Sequence, residues 1–226
     1  MSLYFIGNTH AADHLRMAAQ IRGHNIAKDP LSADVLFVAY DTPTDIDGNR
    51  DTRKIELELH TAATWLEGTK NIVITSQVPP GFTREWAGRK GVFHQAETLR
   101  IKDAFHRAIA PDYIIVGGAD CPNASYAKYL LSFGCPLIFG TWEDAEFSKI
   151  AVNMMLAAQV ERTNMLAEAA AKVGANWEKV CEALKADKRI GPEAYLSTGR
   201  WQDSSHLLRD WVTLQEILTQ TSSSEG

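Results

Sequence analysis

The sequence predicts an α/β protein: a truncated, Rossmann-like, mostly parallel sheet over residues 1–140, followed by an all-helical domain with a long central helix over 141–220. Three observations predict it. Short apolar runs alternate with helix-period segments from Leu3 to Phe139, the pattern of parallel strands joined by crossover helices. The first run stops at Gly7 and passes directly into a helix. After Gly140 the alternation ends, and residues 143–172 read as one helix rich in small residues, longer than a small sheet domain needs for its cover.

Leu3–Ile6 is the first strand, and Ala11, Leu15, Ala18 and Ala19 fall at helical spacing within residues 11–22, which Gly23 ends. Asn25–Ala27 can add a short strand. Val35-Leu36-Phe37-Val38-Ala39-Tyr40 is apolar throughout, as a strand buried on both faces must be, and a polar loop through Thr42-Pro43-Thr44 and Asp47-Gly48 follows. Residues 51–67 read as helix and 71–75 as strand, with Pro79-Pro80-Gly81 a break before a short helix from Thr83. A strand over 91–94, a helix over 97–109, a strand over 113–116, a helix over 124–132 and a strand over 136–139 complete the sheet domain. Beyond the long helix, residues 177–186 and 206–219 are helices flanking an irregular stretch, and 221–226 is a disordered tail.

With 226 residues, 45% of them hydrophobic and 23% charged, the chain can bury one sizeable core or two modest ones. A net charge of −5 gives no bulk attraction to phosphate backbones or anionic lipid, so neither nucleic acid nor a membrane is an expected partner. Cys121, Cys135 and Cys181 fit neither a disulfide framework nor a zinc ligand set, and reduced, buried thiols in a cytoplasmic protein are expected. The N-terminus lacks a basic stretch before its apolar run, and no run reaches the length of a membrane span.

Several segments carry a more specific pattern. They are Thr42-Pro43-Thr44 after a buried strand, Ser76-Gln77-Val78-Pro79-Pro80-Gly81-Phe82-Thr83, and Ala96-Glu97-Thr98-Leu99-Arg100 with Pro111-Asp112 and Gly117-Gly118 behind it. Ala145-Glu146-Phe147-Ser148-Lys149 then leads to Asn153, Leu156-Ala157 and Asn164, and Arg189-Ile190-Gly191 comes later. In this order and spacing the chain resembles the UDP-glucose/GDP-mannose dehydrogenase family over nearly its whole length. Members of that family oxidise the C6 hydroxyl of a nucleotide sugar with NAD. The resemblance implies NAD as cofactor, a nucleotide-sugar substrate and a homodimer formed through the 143–172 helix. Family members are usually longer, and this chain is expected to lack their second nucleotide-binding domain and a block between Ala27 and Ala33.

For the cofactor, Gly7-Asn8-Thr9-His10-Ala11-Ala12 stands where G-x-G-x-x-G or G-x-G-x-x-A is expected, with Thr9 at the middle glycine that brings backbone to a pyrophosphate. Asp29 stands near the position of an acid that accepts ribose hydroxyls, or is simply a loop aspartate before Pro30. By resemblance, Thr42 and Gln77 also line the cofactor side. Lys149 and Asn153 are four apart and project from one helical face. By resemblance the lysine manages the proton of the oxidised hydroxyl and the asparagine holds its oxygen; read alone, they are a solvated lysine beside a surface amide. Glu97 matches the glutamate that supports water attack on an acyl intermediate, and could equally be a surface acid opening a helix. Leu99, Arg189 and Gly199 match substrate-side positions, Arg189 only if a dimer brings it to a neighbouring subunit.

Residues 199–210 align without a gap to the family's G-x-G-F-G-G-S-C-F-P-K-D, so the nucleophilic cysteine falls on His206, the lysine on Arg209, and Asp210 is retained. The threonine of the STVPP segment is Gln77, and the second acid and the glycine of the PEFLREG stretch are Ile101 and Lys102. A histidine cannot replace a thiolate that forms a thiohemiacetal. Two readings remain: an oxidoreductase that makes the aldehyde and omits the cysteine-dependent second oxidation, with Lys149, Asn153 and Asp210 serving the hydroxyl, or a catalytically inactive dimeric homologue acting as a binding or scaffold protein. A hydrolytic or metal site built on His206 and Glu97 is disfavoured, because no histidine pair shows ligand spacing and His10, His14, His24, His60, His94 and His106 look scattered.

Overall fold

The protein was analysed as a computed structural model that describes residues 1–7, 9–65, 71–86, 91–99, 103–119 and 121–221. It divides into two compact units, Met1–Pro43 with Arg50–Lys149, and Thr44–Asn49 with Ile150–Gly226.

Among the described residues the first unit holds seven strands: β1 (Ser2–Ile6), β2 (Asn25–Ile26), β3 (Val35–Val38), β4 (Asn71–Ile74), β5 (Val92–Gln95), β6 (Ile114–Gly117) and β7 (Leu137–Gly140). They form one sheet in the order β2-β1-β3-β4-β5-β6-β7, parallel at every pairing except β5 with β6. The helices between them are α1 (His10–Ile21), α2 (Arg53–Thr64), α3 (Ala104–Ile109) and α4 (Ala124–Leu131). Alternate side chains of each strand enter opposite cores, as the two-residue period of a strand requires. Leu3, Phe5, Val35, Phe37 and Val73 meet Leu15 and Ala18 of α1 and Tyr126, Tyr129 and Leu130 of α4. Leu36, Val38, Ile72 and Ile74 meet Ile55, Leu59 and Ala62 of α2, with Val78 and Phe82. Phe37 anchors the first core, stacked on Phe5 with ring centroids 4.7 Å apart.

The α/β class, the mostly parallel sheet and the long helix agree with the sequence reading, and two local expectations are corrected. The helix expected over 97–109 begins only at Ala104. Glu97 instead turns its carboxylate back to accept the Leu99 amide, and such a local side-chain bond competes with helix formation. The short helix expected from Thr83 is present as a 3-10 helix over Thr83–Trp86. None of the three thiols is buried: Cys121 is exposed, Cys135 and Cys181 are partly so, and all are free. Cys121 lies in the loop before α4, Cys135 in the turn before β7, and Cys181 on a helix that buries no residue. Residues 66–70, Ile101, Lys102 and 222–226 of the expected tail lie outside the described residues.

The long helix α5 spans Trp142–Lys172, and its first turns belong to the sheet unit. Trp142 Nε1 donates to the Val92 carbonyl at 3.0 Å, and Glu146, only 2% exposed, accepts from the amides of Gly81 at 2.6 Å and Thr83 at 2.8 Å. The second unit holds the rest of α5, α6 (Trp177–Ala186) and α7 (Ser205–Thr221), with a 3-10 turn at Trp201–Asp203. Side chains of α5 hold the irregular stretch. Thr163 donates to the Tyr195 carbonyl at 2.9 Å, Gln159 accepts from the Tyr195 amide at 2.9 Å, and Glu161 accepts from Trp201 Nε1 at 2.7 Å. In the loop Thr44–Asn49, Gly48 has φ +92° and a Cβ there would lie 2.6 Å from Val212. No helix among the described residues is long and apolar enough to cross a membrane.

Candidate functional site

Gly7 closes β1 with φ +135°, and a Cβ there would lie 2.3 Å from the Ala39 carbonyl oxygen. Only glycine lets the ends of β1 and β3 come this close. Because β2 lies on the other side of β1, this is a point where strand order reverses, the place where open α/β sheets take ligands. Thr9 is the N-cap of α1, its hydroxyl accepting from the Ala12 amide at 3.1 Å and donating to the Ala39 carbonyl at 3.0 Å. The side chain that stands in place of a glycine is therefore bound at both ends within the protein. The amides of His10 and Ala11, in the first turn, have no acceptor inside the helix. Arg16 braces the turn from below, donating to the carbonyls of Phe5 at 3.2 Å and of Gly7. Asp29 is exposed and caps the turn Pro30–Ser32 through the Leu31 amide at 3.1 Å.

The loops after β3, β4 and β5 are joined by polar side chains. Buried Thr42 donates to the Gln77 carbonyl at 2.7 Å, and Gln77 Nε2 reaches Glu97 Oε2 at 3.4 Å. Burial pushes the Glu97 carboxyl above its ordinary range, against the attraction of Lys149 and the bonds from Leu99 and Gln77. Lys149 of α5 is thus a cation near enough to act on this carboxyl within the sheet unit. Leu99 packs, partly buried, against the core on the α1 side.

In the helical unit, Asn153 Nδ2 donates to Asp210 Oδ2 at 2.6 Å, and Arg209 Nε lies 3.5 Å from Asp210 Oδ1. All three are buried, and Arg209 Nη2 has no hydrogen-bond partner among the described residues. Gly199 and Asn164 bond reciprocally, amide to side-chain oxygen at 3.0 Å and side-chain amide to carbonyl at 2.8 Å. Arg189 is exposed and forks onto Asp187 at 2.7 and 3.0 Å. His206 is exposed in the first turn of α7, one turn before Asp210. The structure therefore groups Thr42, Gln77, Glu97 and Lys149, and separately pairs Asn153 with Asp210. Asp29 and Arg189 stand on exposed turns.

Sequence reasoning gave no role to Glu146, although a glutamate four residues before buried Ile150 shares an apolar helical face and so needs buried partners. Ser76, whose hydroxyl accepts the Tyr40 amide at 2.9 Å, was also missed. One expectation fails outright. His10 and His14 are four apart on α1 and bring their Nε2 atoms to 3.0 Å, so the histidines are not all scattered.

Residues 9–132 match the NAD binding domain of the UDP-glucose/GDP-mannose dehydrogenase family, and residues 143–223 match its central domain. The chain belongs to the UDP-glucose/GDP-mannose dehydrogenase family. It is 28% identical over 197 residues to UDP-glucose 6-dehydrogenase TuaD of Bacillus subtilis, covering 82% of this chain and 42% of that protein. It is 30% identical over 200 residues to a UDP-glucose 6-dehydrogenase of Rhizobium meliloti, covering 81% and 45%. The chain thus spans less than half the length of these curated relatives. Its fold matches that of a UDP-glucose dehydrogenase from Pyrobaculum islandicum with a TM-score of 0.77 at 23% identity, over 96% of this chain and 64% of that one.

NAD is the cofactor of the matched dehydrogenase-family domain, and the residues present fit it. The first-turn amides of α1, at the point where strand order reverses, suit a pyrophosphate. The Thr9 hydroxyl is taken up by Ala12 and Ala39, so the backbone amides of His10 and Ala11 are the ones that would be offered to the ligand.

Proposed function

We propose that this family member is an NAD-dependent oxidoreductase that takes the hydroxyl of a nucleotide sugar to the aldehyde and omits the second, cysteine-dependent oxidation. The observation that carries it is the buried 2.6 Å bond between Asn153 and Asp210, which keeps the hydroxyl-serving amide oriented although His206 stands where the family has its thiol. Bound NAD supplies the hydride acceptor. Lys149 helps manage the proton of the oxidised hydroxyl, and the Glu97 carboxyl is near enough to interact with its charge. Asn153 follows four residues later on the same unbroken helix. Its amide has two N–H donors, so one bond to Asp210 sets its direction while the other holds the substrate oxygen. Without a thiolate no acyl intermediate forms, so Glu97 loses the water-activating role its position implies and keeps only the electrostatic one.

The same reading includes a cytoplasmic homodimer formed through α5. Support for the dimer comes from α6, which buries no residue, and from Met155, Met165 and Leu166, which α5 leaves exposed. In the dimer Arg189 serves the neighbouring subunit.

The test is calorimetry with NAD and NADH, followed by turnover of UDP-glucose or GDP-mannose with aldehyde trapping. One NADH per sugar and a trapped aldehyde are expected, and Lys149→Met lowers kcat by about 10²–10⁴ while leaving NAD affinity unchanged. Two NADH per sugar and a uronic acid product refute the omitted step. Absence of NAD binding leaves the non-catalytic homologue acting as a binding or scaffold protein.

A further inference from the structure

We propose that His10 and His14 form a bidentate site for a divalent transition metal of the nickel or copper class in the first turns of α1. The two residues are one helical turn apart, which places their rings side by side. Their Nε2 atoms lie 3.0 Å apart and the ring planes meet at 78°, centroids 4.2 Å apart. With metal–nitrogen bonds of about 2.0–2.1 Å, two ligands at a right angle are about 2.9 Å apart, and two at the tetrahedral angle about 3.3 Å. The two Nε2 atoms share a hydrogen bond, and their 3.0 Å separation also suits two ligands at the right angle of square-planar or octahedral ions, so nickel and copper are the ions assigned.

His14 is held by its surroundings. The Phe105 ring packs beside His14 with centroids 6.0 Å apart, limiting its rotation. Asp13 is not a third ligand, because its carboxylate is engaged by Arg16 at 2.6 Å. No group of three or more metal-binding side chains occurs among the described residues, so this is an open site with two protein ligands and the other positions left to water or anionic oxygens. The assignment does not depend on the dehydrogenase reading.

The experiment is calorimetric titration of the full chain with Ni²⁺ alone, and with Mg²⁺ as an oxygen-preferring control, on the wild type, His10→Gln, His14→Gln and the double variant. One Ni²⁺ per chain is expected for the wild type, weakened about tenfold or more by either single change, as removal of even a supporting partner of a metal site does. The double variant loses the site. Far-UV circular dichroism without metal checks the fold, and exposed His10 supplies a variant that leaves the core untouched. No Ni²⁺ binding by the wild type, equal binding in the double variant, or equal heats with Mg²⁺ overturns the proposal.

Discussion

His94, on β5, is 3% exposed, and its Nδ1 faces the Thr83 hydroxyl at 3.4 Å. Burial takes its pKa down to about 3. The folded chain therefore keeps it neutral between about pH 3 and 6.5, where the unfolded chain takes up a proton. Its contribution to stability is full above pH 6.5 and falls by roughly 1.4 kcal/mol per pH unit as the pH drops toward 3. Glu97 works in the opposite sense: an acid held up by burial contributes fully below its unfolded pKa and loses that contribution as pH rises through the folded value. Urea unfolding at pH 7 and pH 5, for wild type and His94→Gln, isolates the histidine. The variant should show the shallower loss, and parallel slopes would remove His94 from the account. Residues of this kind are poorly legible in a sequence. Lys149, Asn153 and Asp210 could be named from motif spacing, whereas the burial of His94 and Arg209 depends on what packs over them.

At the level of elements, apolar runs located the buried strands and the long helix, because a two-sided sheet core demands uninterrupted apolar runs such as Val35–Val38. It failed where side chains compete with the backbone, as Glu97 does ahead of α3. The join between α5 and the loop after β4 was equally invisible, since it rests on one carboxylate, that of Glu146, satisfying two backbone amides. Glu146→Ala leaves both donors without their acceptor and should lower stability by roughly 2–4 kcal/mol. Glu146→Gln keeps one acceptor oxygen and should cost less. Equal midpoints for wild type and Glu146→Ala in denaturant would show that the loop finds other partners.

For the whole molecule, the change of pattern after Gly140 was readable, but the attachment of Thr44–Asn49 to the helical unit was not. That attachment depends on Gly48 lying against Val212, a contact between segments distant in sequence. Sedimentation velocity should give twice the chain mass at micromolar concentration, and Met155→Asp with Met165→Asp should reduce it to one chain. A wild type that sediments as a single chain at every concentration argues against the α5 interface.

The stretch between α6 and α7 is fastened by side chains of Gln159, Glu161, Thr163 and Asn164 rather than by a backbone ladder. Each such bond contributes only about 0.5–1.5 kcal/mol net. The stretch can therefore detach while α5 stays intact, so amide exchange and protease cutting are set first in mid-chain, around Tyr195, and not by fraying of the helices beside it.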